Sequence, residues 1–258
     1  AVLLQVAVPR GNEIKIDAAE QLFAALYSLK KGGTLSFLTP QEHLSFEIVG
    51  LLEDIRFYVG VPSQLRDLVE KQIHGAYPGA EIQVVDEYNI FSETGKVAFA
   101  SLRLSSSDYY PLRLYKDLPT DPLSAITSVL AKMGKGEGAA GQILISPADN
   151  KRKSAGRGYI AKIKTREADP EKAKFSVDPK VLEVIGEKCQ KPGFDTTVRL
   201  VVSSTTSESA KAHLANLMGV FAQFASDLNS FKKGKHILKR AFMIDFLYRY
   251  FPIWGKTS

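Results

Sequence analysis

Apolar positions along this chain fall into short alternating runs and longer runs spaced by three and four, and their order predicts a mixed α+β protein. Val2 to Val8 has strand length and closes on the turn Pro9-Arg10-Gly11-Asn12. From Asp17, placed as an N-cap, Ala19, Leu22, Phe23, Leu26 and Leu29 recur at helical spacing up to the stop at Gly32-Gly33. Leu44, Phe46 and Ile48 then alternate with Ser45 and Glu47, and Ile55, Phe57 and Val59 with Arg56 and Tyr58, which predicts two half-buried strands in a hairpin. Pro62-Ser63 opens a second helix carrying Leu65, Leu68, Val69 and Ile73, and Ala80 to Val85 supplies a fourth strand. The order β-α-β-β-α-β is that of a ferredoxin-like unit, in which two helices cover one face of a four-stranded antiparallel sheet.

The pattern then recurs. Val97 to Leu104 is a strand, Tyr109 to Tyr115 a bend or edge segment, and Asp121-Pro122 caps a helix through Leu123, Ile126, Leu130 and Met133. Gln142 to Ser146 and Val198 to Val202 have strand character, with a charged stretch between them. Thr205-x-x-Glu208 is a capping box for a long helix with Ala210, Leu214, Leu217, Phe221 and Leu228 on one stripe, and Ala241 to Phe246 is a last apolar run able to close a second sheet. The expected fold is therefore α+β: two tandem ferredoxin-like (βαββαβ) units with antiparallel sheets, residues 1–92 and 93–258, the second carrying a charged helical insertion at about 150–192.

Composition sets bounds on this picture. With 258 residues, 45% of them hydrophobic and 24% charged, the chain can bury two ordinary cores and lies outside the disordered and fibrous classes. No stretch approaches the roughly 20 apolar residues of a membrane span. The start at Ala1 without an initiator Met points to a piece of a longer protein. The single Cys189 has no second thiol to pair with and suits a reducing compartment. A formal charge of +6 makes a polyanion partner compatible without requiring one.

The search for catalytic chemistry is negative. Met133-Gly134-Lys135-Gly136-Glu137-Gly138 lacks the Ser or Thr of a phosphate-binding loop and follows a helix instead of preceding one. His43, His74, His213 and His236 lie in four different elements with no metal-ligand spacing. Ser105-Ser106-Ser107 and Ser203-Ser204-Thr205-Thr206 suit turns and caps, and Glu53-Asp54 and Asp86-Glu87 sit at strand ends as solvated turn residues. No catalytic, cofactor-binding or metal-binding residue is expected, and no cofactor. Two basic clusters remain as candidate nucleic-acid contacts: Lys151, Arg152, Lys153, Arg157, Lys162, Lys164 and Arg166, with Tyr159 among them, and Lys232, Lys233, Lys235, Lys239 and Arg240. The aromatic run Phe246 to Trp254 must be covered by the core or by a neighbouring domain.

Several segments also carry a resemblance. Ala18-Ala19-Glu20-Gln21-Leu22-Phe23-Ala24-Ala25-Leu26, His43 to Ile48, Arg56 to Val59, Leu65 to Ile73 followed by Tyr77-Pro78, Asp121 to Thr127, and Gln142 to Ile145 together resemble the N-terminal region of conjugation-type DNA-transfer ATPases of type IV secretion systems in candidate phyla radiation bacteria. In that family the region resembles an uncharacterised domain preceded by a membrane segment and followed by a RecA-like ATPase. The resemblance implies a non-catalytic assembly domain at the inner, cytoplasmic face of the membrane, reaching the membrane only through segments outside this chain. Its partners would be its own copies, through edge strands and an open sheet face, or secretion-system proteins. The alternative expectation is a DNA-binding module acting through the two basic clusters.

Overall fold

The computed structural model describes residues 1–9, 11, 14, 16–28, 42–119, 121–168, 177–235 and 238–252. In it the strands are β1 (Val2–Ala7), β2 (Leu44–Leu51), β3 (Asp54–Val61), β4 (Glu81–Val85), β5 (Lys96–Leu104), β6 (Gly138–Pro147), β7 (Phe194–Ser204) and β8 (Phe231–Lys233). The helices are α1 (Asp17–Tyr27), α2 (Arg66–Ala76), α3 (Pro122–Leu130), α4 (Lys151–Glu167), α5 (Pro179–Gln190), α6 (Ser207–Val220) and α7 (Lys239–Leu247). The expected stop at Gly32-Gly33, His236 and the end of the aromatic run at Ile253-Trp254 lie outside the described residues.

All eight strands form one antiparallel sheet in the order β4-β1-β3-β2-β6-β7-β5-β8, which corrects the expectation of separate sheets. The two halves join where β2 pairs with β6, in register from Leu44 opposite Ile145 to Gly50 opposite Ala139. An isolated unit would leave each of these strands as an edge with unpaired amides and carbonyls, and pairing them satisfies both. Strand periodicity reports which face is buried and is blind to which neighbour lies alongside, so this join is not written in the hydrophobic pattern.

One face of the sheet carries α1, α2, α3 and α6. Leu22, Leu26, Val69 and Ile73 pack on Leu4, Leu44, Val59, Val61 and Ile145, while Leu130, Leu214 and Leu217 pack on Ala100, Leu102, Ala139, Val198, Leu200 and Val202. Gly50 lets α3 approach closely, since a Cβ there would lie 2.7 Å from that of Leu130. The opposite face is not open. The connection between β4 and β5 joins strands near opposite edges of the sheet, and its Tyr88, Ile90 and Phe91 pack with Leu3, Val49, Tyr58, Ala140 and Val201 beneath Phe242 and Phe246 of α7.

Several elements differ from the sequence reading. Ala241 to Phe246 is helical, because Phe242 and Phe246 one turn apart lie on the face α7 presents to the sheet, and a short apolar run does not by its length distinguish helix from strand. The strand that closes the sheet edge is β8, beside β5. The long helix is capped one residue later than expected, Thr206 accepting from the amide of Ser209, and it ends at Val220 followed by a 3₁₀ turn, so Leu228 lies beyond it. Tyr109 to Tyr115 is loop, leading into a 3₁₀ turn at Tyr115–Asp117. Asp17 opens α1 without capping it, and its carboxylate accepts from the Tyr115 hydroxyl.

Candidate nucleic-acid interface

Two groups of polar residues stand out, one inside the protein and one on its surface. The inner group is a row across the covered sheet face, Tyr58, Glu47, Gln142 and Arg199, opposite one another on β3, β2, β6 and β7. Glu47 and Gln142 have no exposed side chain to speak of, and Arg199 is 3% exposed, so each needs a partner. Glu47 takes the Arg249 guanidinium at 2.7 Å, the Tyr88 hydroxyl at 2.6 Å and the Gln142 amide at 3.2 Å. Gln142 also donates to the Phe246 carbonyl, and Arg199 donates to Gln142 at 3.0 Å and to the carbonyls of Asp245 at 2.9 Å and Tyr250 at 2.6 Å. These bonds fasten the C-terminal end of α7, where carbonyls lack intrahelical donors and a cation is favoured. Burial pushes the Arg199 guanidinium down to about 10, partly offset by Asp245 and Glu47, and it remains charged at neutral pH. Burial also opposes the charge of Arg249, but Glu87 and Glu47 outweigh it and raise its proton affinity. The group is a lock for α7.

A second internal cluster, at the turn between α3 and β6, is equally structural. Glu137 accepts from the hydroxyls of Ser204 and Ser209 and from the Gly134 amide, and lies 3.4 Å from His213 Nε2. The Ser204 hydroxyl, then the other donors and His213, hold its carboxyl below the usual range against the effect of burial. The carboxylate is the hub and no described hydrogen bond joins the imidazole to either hydroxyl, so the arrangement is not a nucleophile and base.

The surface group is α4. Lys151, Arg152, Lys153, Arg157, Lys162, Lys164 and Arg166 all fall on this one helix, and residues 151–166 contain no Asp or Glu. At 100° per residue, Arg152, Gly156, Tyr159, Ile160 and Ile163 share one side of the helix, and these are its buried or half-buried positions, with Lys153 on their margin. That side packs on α5. Gly156 makes the approach possible, since a Cβ there would lie 2.4 Å from Cys189 Sγ and 3.1 Å from Tyr109 Cβ. Arg152 is drawn inward too, its guanidinium occupying the space that a Cβ at Gly193 would need. Tyr159 is stacked on Tyr109 at 5.3 Å and packs edge-on to Tyr110, so it belongs to the support and not to the surface.

The other six cations lie off the packed centre, five of them exposed and Lys153 half-buried at its margin. Lys151 pairs with Asp149 at 3.1 Å, a contact worth little at 91% exposure, and the remaining five have no ion pair with a described residue. Lys153 and Arg157, and Lys162 and Arg166, are like charges one turn apart, each pair costing about 0.2–0.5 kcal/mol. Cations in the first turn also oppose the helix dipole. The protein thus holds an uncompensated cationic helix in place through its packing.

That packing rests on residues with no sequence motif. Lys188 of α5 donates to the carbonyls of Asp108 at 2.6 Å and Tyr110 at 2.9 Å, and Asn229 ties the same loop through its bonds to Ser106, Ser107 and Tyr110. Burial, assisted by nearby Arg152, pushes the Lys188 amine down to about 8. A lysine whose folded-state pKa is lowered is bound by more protons in the unfolded chain between about pH 8 and its ordinary value near 10.4, so its penalty is complete below pH 8 and fades as pH rises. Stability referenced to Lys188→Met should therefore increase between pH 8 and 10, by an amount on the order of 1–2 kcal/mol. Urea denaturation of both proteins across that range checks this, and parallel pH profiles would rule it out.

The second sequence cluster is not brought together in the same way. Lys232 and Lys233 are on β8, Lys235 is in the following loop, and Lys239 and Arg240 begin α7. Lys232 is engaged, donating to the Ser105 carbonyl at 2.9 Å, and Lys232 and Lys233 place charge on an edge strand, where it discourages pairing with other chains.

Residues 2–229 match the family described as a domain of unknown function, DUF8128. The chain belongs to the DUF8128 family. The match takes in all of α4 and stops before β8 and α7. No curated protein matches the chain. Among solved structures it is similar to aclacinomycin oxidoreductase, at 10% identity and a TM-score of 0.37, over 86% of this chain and 40% of that one. It is also similar to the glycopeptide hexose oxidase DBV29 complexed with teicoplanin, at 11% identity and a TM-score of 0.34, over 88% of this chain and 44% of that one. The chain spans less than half the length of either structure, and likeness at these scores assigns no activity to this DUF8128 domain. Among its described residues no group of His, Cys, Asp and Glu is placed to hold a metal ion, and no helix is long and apolar enough to cross a membrane.

Proposed function

We propose that this DUF8128 domain is a non-catalytic DNA-handling module, two ferredoxin-like units fused edge to edge, that serves a membrane-associated DNA-transfer ATPase of the type IV secretion kind. The element order β1-α1-β2-β3-α2-β4 and, with α4 and α5 set aside, β5-α3-β6-β7-α6-β8 supports the reading of two units, as does the strand order β4-β1-β3-β2 beside β6-β7-β5-β8. The observation that carries the function is α4, a 17-residue helix whose outward charges are all positive through residue 166. Phosphate neutralisation by such a helix releases condensed counterions, which makes binding strong at low salt and steeply salt-dependent.

Fluorescence anisotropy of a labelled duplex against the whole chain, over a salt series, tests this. With the six cations off the packed centre of α4 each meeting a phosphate, log K falls against log salt with a slope of about −5. No binding in 50 mM salt, or a slope near zero, would end the proposal.

A second reading, assembly with copies of itself, has its own observation. The outer side of α7 and the residues after it expose Ile244 at 40%, Leu247 at 49%, Tyr248 at 66% and Tyr250 at 54%, with the two tyrosine rings stacked at 5.6 Å. The covered sheet face cannot serve as the contact surface, which leaves the edge strands β4 and β8 and this patch, of which the patch exposes more large apolar side chains. Sedimentation velocity should then show an oligomer that Leu247→Glu with Tyr248→Glu dissociates, and a wild-type monomer at high concentration excludes it.

A further inference from the structure

The outward half of α4 is not uniformly cationic. At about 100° per residue, Lys151, Lys162 and Arg166 fall within about 60° of one another on one flank, and Lys153, Arg157 and Lys164 within about 40° on the opposite flank. Between the flanks, on the side facing directly away from α5, run Ser154, Gly158, Ala161 and Thr165, all exposed. A cationic face serving solubility alone needs no such segregation.

We infer that α4 lies in the major groove of duplex DNA, its leading edge toward the base pairs and its two cationic flanks on the phosphates of the two strands that wall the groove. This rests on the DNA-handling reading and makes it specific. The dimensions agree: an α-helix with its side chains is about 10–12 Å across and the B-form major groove is about 12 Å wide. Seventeen residues span about 25 Å, enough to follow the groove for several base pairs. Small side chains at the leading edge let the helix sink until both flanks reach phosphate.

The same features exclude other polyanions. Single strands are held by exposed aromatic platforms, and the only aromatic residue of α4, Tyr159, is occupied by Tyr109 and Tyr110. A-form RNA has a major groove too deep and narrow for a helix. An anionic membrane would reward apolar side chains along the exposed ridge, and there Ser154, Gly158, Ala161 and Thr165 offer only the methyl groups of Ala161 and Thr165. A second copy of α4 would bring like charges into contact. The leading edge carries no Arg, Lys, Asn or Gln, the side chains that read guanine and adenine bidentately, and Ser154 and Thr165 suit any base, so discrimination between base sequences is weak.

The test uses the whole chain, a labelled 20-base-pair duplex, the corresponding single strand, a double-stranded RNA and inorganic polyphosphate. Ala161→Trp and Gly158→Trp place a bulky ring on the leading edge without touching the packed side; a Cβ at Gly158 meets nothing within 4 Å. The expected result is at least tenfold preference for duplex DNA over the other three. Each Trp variant should lose tenfold or more for duplex DNA only, and the major-groove ligand methyl green, but not the minor-groove ligand netropsin, should displace the protein. Equal binding to all four polyanions, unaffected by the Trp variants, overturns the groove geometry and leaves the DNA-handling reading standing. Absence of binding to any of them overturns both.

Discussion

Arg249→Ala should lower the unfolding free energy by about 3–5 kcal/mol, the cost of leaving a buried carboxylate without its cation. The guanidinium is 9% exposed and grips Glu47, whose side chain is fully buried, through two bonds. Its other partner, Glu87, is 65% exposed and contributes little. After truncation Glu47 keeps only the Tyr88 hydroxyl and the Gln142 amide, and α7 loses an anchor. Arg249 also sits at φ 55°, in the left-handed region that commonly ends a helix and is usually taken by glycine. Arg249→Gly should therefore be about 1 kcal/mol less damaging than Arg249→Ala, because it removes the same side chain while relieving the backbone. Replacing both partners, as in Glu47→Leu with Arg249→Met, should recover much of the loss, since no charge is then stranded. Urea midpoints for the four proteins decide the matter: a loss under about 1 kcal/mol for Arg249→Ala would show that the lock is not holding α7.

Neutralising one flank of α4 should have the opposite signature, with binding lost and stability gained. Lys153→Ala, Arg157→Ala and Lys164→Ala together remove three of six phosphate contacts, which reduces the salt slope from about −5 to about −3. At the low-salt end this is a loss on the order of a hundredfold or more in affinity for duplex DNA. The same substitutions remove the like-charge pair Lys153 and Arg157, and Ala is the better helix former, so thermal stability should rise slightly. A variant that binds as tightly as wild type, or one that weakens only because it unfolds, would show that α4 has been given the wrong role. The pairing of outcomes matters because a general loss of structure cannot mimic it.

How far the sequence could be read depended on the distance over which each feature is encoded. Element order was largely legible: helical and strand periods are local, and Asp121 with Pro122 marks the start of α3 as its side chain shows, accepting from the Leu123 amide. The α4 charges were legible for the same reason, being contiguous. The polar row was not. Glu47, Gln142 and Arg199 are far apart in the chain and meet only because β2 pairs with β6 and β6 with β7. In sequence Glu47 looked like a solvent-facing residue of a half-buried strand, a reading that fails once the β4–β5 connection and α7 cover that face. Gln142 and Arg199 did carry a hint, each being a long polar side chain next to an apolar run, Ile143-Leu144-Ile145 and Leu200-Val201-Val202. Lys188 and Asn229 carried none, because what makes them important is a loop contributed from residues 105–110.

The way α4 and α5 are inserted has a mechanical consequence. They interrupt the chain between the end of β6 and the start of β7, the two strands that neighbour each other near the middle of the sheet. Load applied to α4 therefore passes into the sheet near its centre and not at an edge. β7 is hydrogen-bonded to β6 over ten residues and to β5 over seven, and β6 to β2 over seven more, with ladder bonds lying across the strand direction. A pull along the strands loads these bonds in shear, all together, whereas a pull at β4 or β8 would peel them one at a time. The sheet is braced against load applied along its strands.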